Sequence, residues 1–120
     1  MPAKPHPATV LLLADRRNSQ TAKALKDDGY RLMMTFTPDH AVAICVNNPV
    51  DAVILDQEHF VQTEGWSVAR SIKMVRNICV ILVVHGTILG GFSPEGVDAV
   101  VPESDTQVLR VALKNLMKSL

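Results

Sequence analysis

Short apolar runs alternate along this chain with segments whose apolar residues recur every three or four positions. The first run, Thr9-Val10-Leu11-Leu12-Leu13-Ala14, is apolar throughout and stops at Asp15-Arg16-Arg17, the pattern of a central strand covered on both faces. Asn18 or Ser19 then opens a helix bearing Ala22, Ala24 and Leu25, with Gly29 as its C-terminal stop. Tyr30 to Phe36 reads as a second strand. Thr37-Pro38-Asp39 supplies an N-cap, a first-turn proline and a first-turn acid for a helix through Ala41, Val42, Ile44 and Cys45. Asn47-Asn48-Pro49 ends that helix, because a residue before proline is pushed out of the helical region.

A third strand, Val50 to Leu55, delivers Asp56 at its carboxyl end. After a loop, Trp66, Val68, Ala69, Ile72 and Val75 fall at helical spacing, while Arg70, Lys73 and Arg76 fall mostly on another face. Ile78 to Val84 is the most apolar run, too short to span a membrane and rich in β-branched residues, so it is expected to be the most central strand. Val97 to Val101 makes a fifth strand. Ser104-Asp105-Thr106-Gln107 reads as a capping box for a last helix with Val108, Leu109, Ala112, Leu113, Leu116 and Met117 on or beside its inner face. Strands and helices alternating across short connections predict a doubly wound α/β fold with five parallel strands and right-handed crossovers. Between the fourth and fifth strands, Gly86, Gly90, Gly91, Pro94 and Gly96 argue against a long helix, so the fourth helix is expected to be shortened or lost.

Composition narrows the function classes. With 120 residues and 48% of them hydrophobic, the chain can form one core, read here as a single domain over 9–120 behind an extended tail, 1–8. Lys plus Arg number 12 and Asp plus Glu number 12, so no net field draws the chain to nucleic acid or anionic lipid. The proline-rich Met1 to Pro7 is neither signal peptide nor membrane anchor, which points to the cytoplasm, where Cys45 and Cys79 are expected as reduced core residues. Neither cysteine has ligand spacing with His6, His40, His59 or His85, so no structural metal is expected.

In an open parallel sheet ligands bind beyond the carboxyl ends of the strands, here Asp15-Arg16-Arg17, Asp56-Gln57-Glu58-His59 and Val84-His85-Gly86. Asp15 and Asp56, on two strand ends, can share one hard cation such as Mg²⁺. Asp also ends strands for a plainer reason, as a turn former and helix cap. His59 and the Gly86 to Gly96 stretch have equally plain readings, as an exposed loop histidine and a flexible connection.

Val50-Asp51-Ala52-Val53-Ile54-Leu55-Asp56, followed by a loop reaching Gly65, resembles the segment of bacterial two-component response regulator receiver domains in which the phosphoacceptor ends the third strand and a Gly opens the next helix. Gly96-Val97-Asp98-Ala99-Val100-Val101 is similar to that family's approach to its fifth strand, and the resemblance runs from Thr9 onward. It implies the flavodoxin-like receiver topology, Asp56 as phosphoacceptor, Mg²⁺ held by Asp15, Asp56 and the backbone carbonyl of Glu58, and a sensor histidine kinase or other signalling protein as partner.

The chain departs from the family pattern at several positions. Only one acid, Asp15, follows the first strand, Val84 stands at the hydroxyl position with Thr87 beyond it, Ala99 at the aromatic position and Pro102 at the lysine position. Lys114 and Lys118 lie too far along the last helix to replace that lysine, and Arg16 or Arg17 could supply compensating charge. The expected function is a non-enzymatic, degenerate receiver acting by protein contact, with impaired switching and a possible homodimer through the last helix. The alternatives are a phosphorylation-independent pseudo-receiver for dimerisation or docking, and a small flavodoxin-like cofactor binder, which the missing phosphate-cradling glycine loop disfavours.

Overall fold

The computed structural model describes residues 8–14, 20–56, 62–84, 96–102 and 105–118, with backbone only for 62–67 and 118. Five strands and four helices follow one another within these residues: β1 (Thr9–Ala14), α1 (Gln20–Asp27), β2 (Arg31–Thr35), α2 (Pro38–Asn47), β3 (Ala52–Asp56), α3 (Gln62–Val75), β4 (Cys79–Val84), β5 (Ala99–Pro102) and α4 (Thr106–Lys118). All strands pair in parallel in the order β2-β1-β3-β4-β5. The doubly wound, five-stranded expectation is met. The expected loss or shortening of a helix between β4 and β5 falls on 85–95, outside the described residues, as do the tail at 1–7 and the Asn18 or Ser19 cap.

Alternation along each strand sends side chains to two separate cores. Val10, Leu12, Ile54, Ile81 and Val83 pack with Ala22 and Leu25 of α1 and Leu109 and Leu113 of α4. Leu11, Leu13, Val53, Leu55, Val80 and Leu82 pack with Ala41 and Cys45 of α2 and Val68, Ala69 and Ile72 of α3. Because both faces are covered, the strands lack the apolar-polar alternation of a half-exposed sheet. The same fact corrects one expectation: β4, the most apolar run, is not the central strand. β3 is central, and β4 lies next to edge strand β5. Hydropathy reports how well a strand's faces are covered, not its lateral position.

Local signals fix the helix ends. Thr37 caps α2, its Oγ1 accepting from the His40 N–H at 3.3 Å, and Asn48 closes the other end by donating to the Ile44 carbonyl at 2.9 Å. Gly29, at φ +85°, ends α1 in a Schellman turn, with Tyr30 N–H on the Leu25 carbonyl and Gly29 N–H on that of Lys26. At the start of α4, Asp105 Oδ1 accepts from the Gln107 N–H at 3.0 Å, and the Ser104 of the expected capping box lies outside the described residues. A carboxylate directly before a helix satisfies donors of its first turn. Along α4, Leu109 and Leu113 are buried and Ala112, Leu116 and Met117 partly so, whereas Val108 is exposed. α3 starts at Gln62, so Gly65 lies inside its first turn and does not open the helix. Arg110 on α4 makes a two-point ion pair with Asp28 after α1, and its hydrogen bond holds the Asp28 carboxyl below the usual carboxylate range.

Two aspartates do matching work at the amino edge of the sheet. Asp51, just before β3, accepts the Thr9 N–H on its carboxylate and gives its own N–H to the Thr9 carbonyl, both at 2.8 Å. Asp98, just before β5, repeats the arrangement with Val80, again at 2.8 Å for both bonds. Each carboxylate extends the ladder by one bond and so fixes the register of a strand with its neighbour.

Both cysteines are free and buried, as expected of core residues. Burial pushes the Cys45 thiol up to about 11, with a smaller opposing pull from Arg76, and raises Cys79 as well. The thiolate is the reactive form. A thiol reagent applied at pH 8 is therefore expected to leave Cys45 unmodified in the native protein and to label it on unfolding in urea; rapid native-state labelling would contradict the packing. No described helix is long and apolar enough to cross a membrane.

Candidate functional site

The order of strands reverses direction at β1 and β3: the chain leaves β1 for β2 on one side and returns across β1 to β3 on the other. Such a switch point opens a crevice beyond the carboxyl ends of the two strands, because their connecting helices lie on opposite faces. The residues paired there are Ala14, the last of β1, and Asp56, the last of β3. β3 continues one residue further than its apolar run suggested, so Asp56 belongs to the strand itself and not to the loop after it.

Asp56 is 5% exposed, the one charged residue within the core of the described chain, where Thr21 and Thr35 are the other buried polar residues. Strand alternation places it on the face of Ala52 and Ile54, beside the buried Ala14. A carboxylate held by a rigid central strand at the mouth of a crevice is a preorganised oxygen donor, suited to a hard cation or to attack on an electrophile.

The remaining sequence-derived site residues divide in two. Asp15, Arg16, Arg17, Glu58, His59, His85 and Thr87 lie outside the described residues. Val84 and Pro102 are described, and the sheet register pairs them directly at the carboxyl ends of β4 and β5. Ala99 pairs with Ile81, further back from that edge. Val84 leans towards the α2–α3 core and Ala99 towards the other. Neither Val84 nor Pro102 has a side-chain donor to offer an anion. Among the described residues no three His, Cys, Asp or Glu side chains are grouped to hold a metal ion.

A polar pair at the same edge was not evident in the sequence. Thr35, buried at the end of β2, places Oγ1 3.0 Å from Nδ1 of His40 in the first turn of α2. The separation of five residues is the sequence signal: a strand-terminal Thr followed by a capped helix puts its hydroxyl under that helix's first turn. Which of the two donates is set by the tautomer of the imidazole ring.

Several solved structures share this fold across nearly their whole length. A receiver domain protein (CheY-like) from Methanospirillum hungatei superposes with a TM-score of 0.79 at 19% identity, covering 94% of this chain and 95% of that one. The fold is that of a response regulator receiver domain. The receiver domain of the TMAO respiratory system response regulator TorR matches with a TM-score of 0.74 and 22% identity, over 94% of this chain and 98% of its own. The N-terminal domain of a response regulator/sensory box/GGDEF three-domain protein from Carboxydothermus hydrogenoformans gives the same TM-score and identity, over 92% and 94%. No protein-family model and no curated protein matches the chain. The same fold is thus reached at 19–22% identity to these solved examples.

Proposed function

We propose that this chain is a receiver-type module of two-component signal transduction, acting by protein contact and not as an enzyme, with Asp56 as its phosphoacceptor. The observation that carries the reading is a buried carboxylate ending the central strand at the switch point of a receiver fold. Asp56 and Asp15, with the Glu58 carbonyl, would hold Mg²⁺, which supplies positive charge to the phosphoryl oxygens during transfer. The phosphodonor is a sensor histidine kinase or another phosphorylated signalling protein, and the setting is cytoplasmic, without nucleic acid or membrane as partners.

A second reading is favoured by one observation, the pairing of Val84 with Pro102. A phosphoryl group brings roughly 1.5–2 negative charges that call for nearby donors. With a valine and a proline at the ends of the flanking strands, β4 and β5 contribute no side-chain donor there, and the switching step is weakened or lost. The chain then serves as a pseudo-receiver that docks or dimerises without phosphorylation.

One experiment separates these readings. The protein and Asp56→Asn are incubated with Mg²⁺ and acetyl phosphate and followed by intact mass. A phosphoryl adduct on the native chain and none on the variant is the expected result. Absence of an adduct at any donor concentration would leave the pseudo-receiver reading standing alone.

A further inference from the structure

α3 touches the segment leading into β5 in two places, although helix and segment come from opposite sides of β4 in the chain. Just before β5, Gly96 approaches the helix so closely that a Cβ there would lie 3.2 Å from the Arg70 backbone nitrogen and 3.3 Å from the Ala69 carbonyl carbon. Two residues later Asp98 accepts from Lys73 Nζ at 2.6 Å on the same Oδ2 that accepts the Val80 N–H. One carboxylate oxygen therefore joins the last turn of α3, the start of β4 and the start of β5.

The other end of α3 is the next element in the chain after Asp56. Asp56 closes β3 and the helix begins at Gln62, at the carboxyl edge of the sheet. A helix is stiff, and at 1.5 Å per residue it spans roughly 16 Å from Gln62 to Lys73. A negative charge near a helix N-terminus interacts with the positive end of its dipole. A stiff helix passes an axial shift of one end to the other, here to Lys73, which is ion-paired with Asp98 just before β5.

We propose that α3, latched to β5 through Gly96 and the Lys73–Asp98 pair, carries the state of Asp56 to the start of β5, with Lys73 as the positioning residue. The inference rests on Asp56 accepting a phosphoryl group or its analogue. It supplies a route to β5 that needs neither a hydroxyl at Val84 nor an aromatic residue at Ala99.

The test uses Mg²⁺ with beryllofluoride as a phosphoryl analogue, bound fluoride observed by ¹⁹F NMR, and backbone amide shifts of Val97 to Val101 as the readout. The native chain and Lys73→Arg, which keeps the ion pair, are expected to show shifts at these amides on binding. Lys73→Met is expected to bind beryllofluoride and lose them. Binding without a response at Val97 to Val101 in the native chain, or an undiminished response in Lys73→Met, overturns the latch and leaves the proposed phosphoacceptor intact. No bound fluoride in the native chain overturns both.

Discussion

Ile54→Ala is expected to lower the unfolding free energy by about 2–5 kcal/mol, the range for truncating a fully buried aliphatic side chain. Ile54 has no exposed surface and sits mid-way along β3, flanked in register by Leu12 of β1 and Ile81 of β4. Those neighbours are themselves pinned in a parallel ladder and cannot collapse into the space, which favours the upper part of the range. A domain of this size has about 5–15 kcal/mol in total, so the variant loses a large share of it. Urea unfolding followed by circular dichroism reads the change as a lower midpoint at an unchanged slope. A loss under about 1 kcal/mol would show that the α1–α4 core repacks, contrary to its geometry.

The hydrophobic pattern made most of the fold legible because a doubly wound sheet leaves a strong imprint. Strands covered on both faces must be apolar throughout, and helices packed on one side must carry apolar residues at helical spacing. Thr37, Pro38, Asn48 and Gly29 punctuate the helices through local chemistry, which sequence records directly. Lateral order is different in kind. β4 looked central because both its faces are buried, and only the tertiary pairing reveals that β3 holds that place.

The site was legible to a lesser degree. Asp56 stood out as a strand-end carboxylate in a segment that resembles the receiver pattern, and the structure puts it at the switch point, buried beside Ala14. The two aspartates at the opposite, amino edge of the sheet depend on contacts between residues far apart in the chain. Asp98 reads in sequence as an unremarkable acid before a short strand, yet its carboxylate reaches Val80 and Lys73. Asp51 does the same towards Thr9 across 42 positions. The shared signal is an aspartate immediately before each of two apolar strands, a pattern that becomes meaningful once the parallel ladder is known.

Gly96 and Gly29 form a controlled pair that tests the close contact between α3 and β5. Both have φ +85°, where any L residue strains the backbone, but a Cβ at Gly29 meets nothing within 4 Å. Gly29→Ala is therefore expected to cost about 1–2 kcal/mol, the price of the left-handed conformation alone. Gly96→Ala meets backbone atoms of Ala69 and Arg70 besides, and these belong to a helix anchored by Ala69 and Ile72 in the core. Relief requires α3 to move away from β5, which opens packing around Ile72 and lengthens the Lys73–Asp98 pair, so about 2–4 kcal/mol is expected in total. Parallel urea titrations of the two variants read the difference. Equal losses would mean that α3 yields without cost, and a helix so easily displaced could not hold the start of β5 in register with its own position.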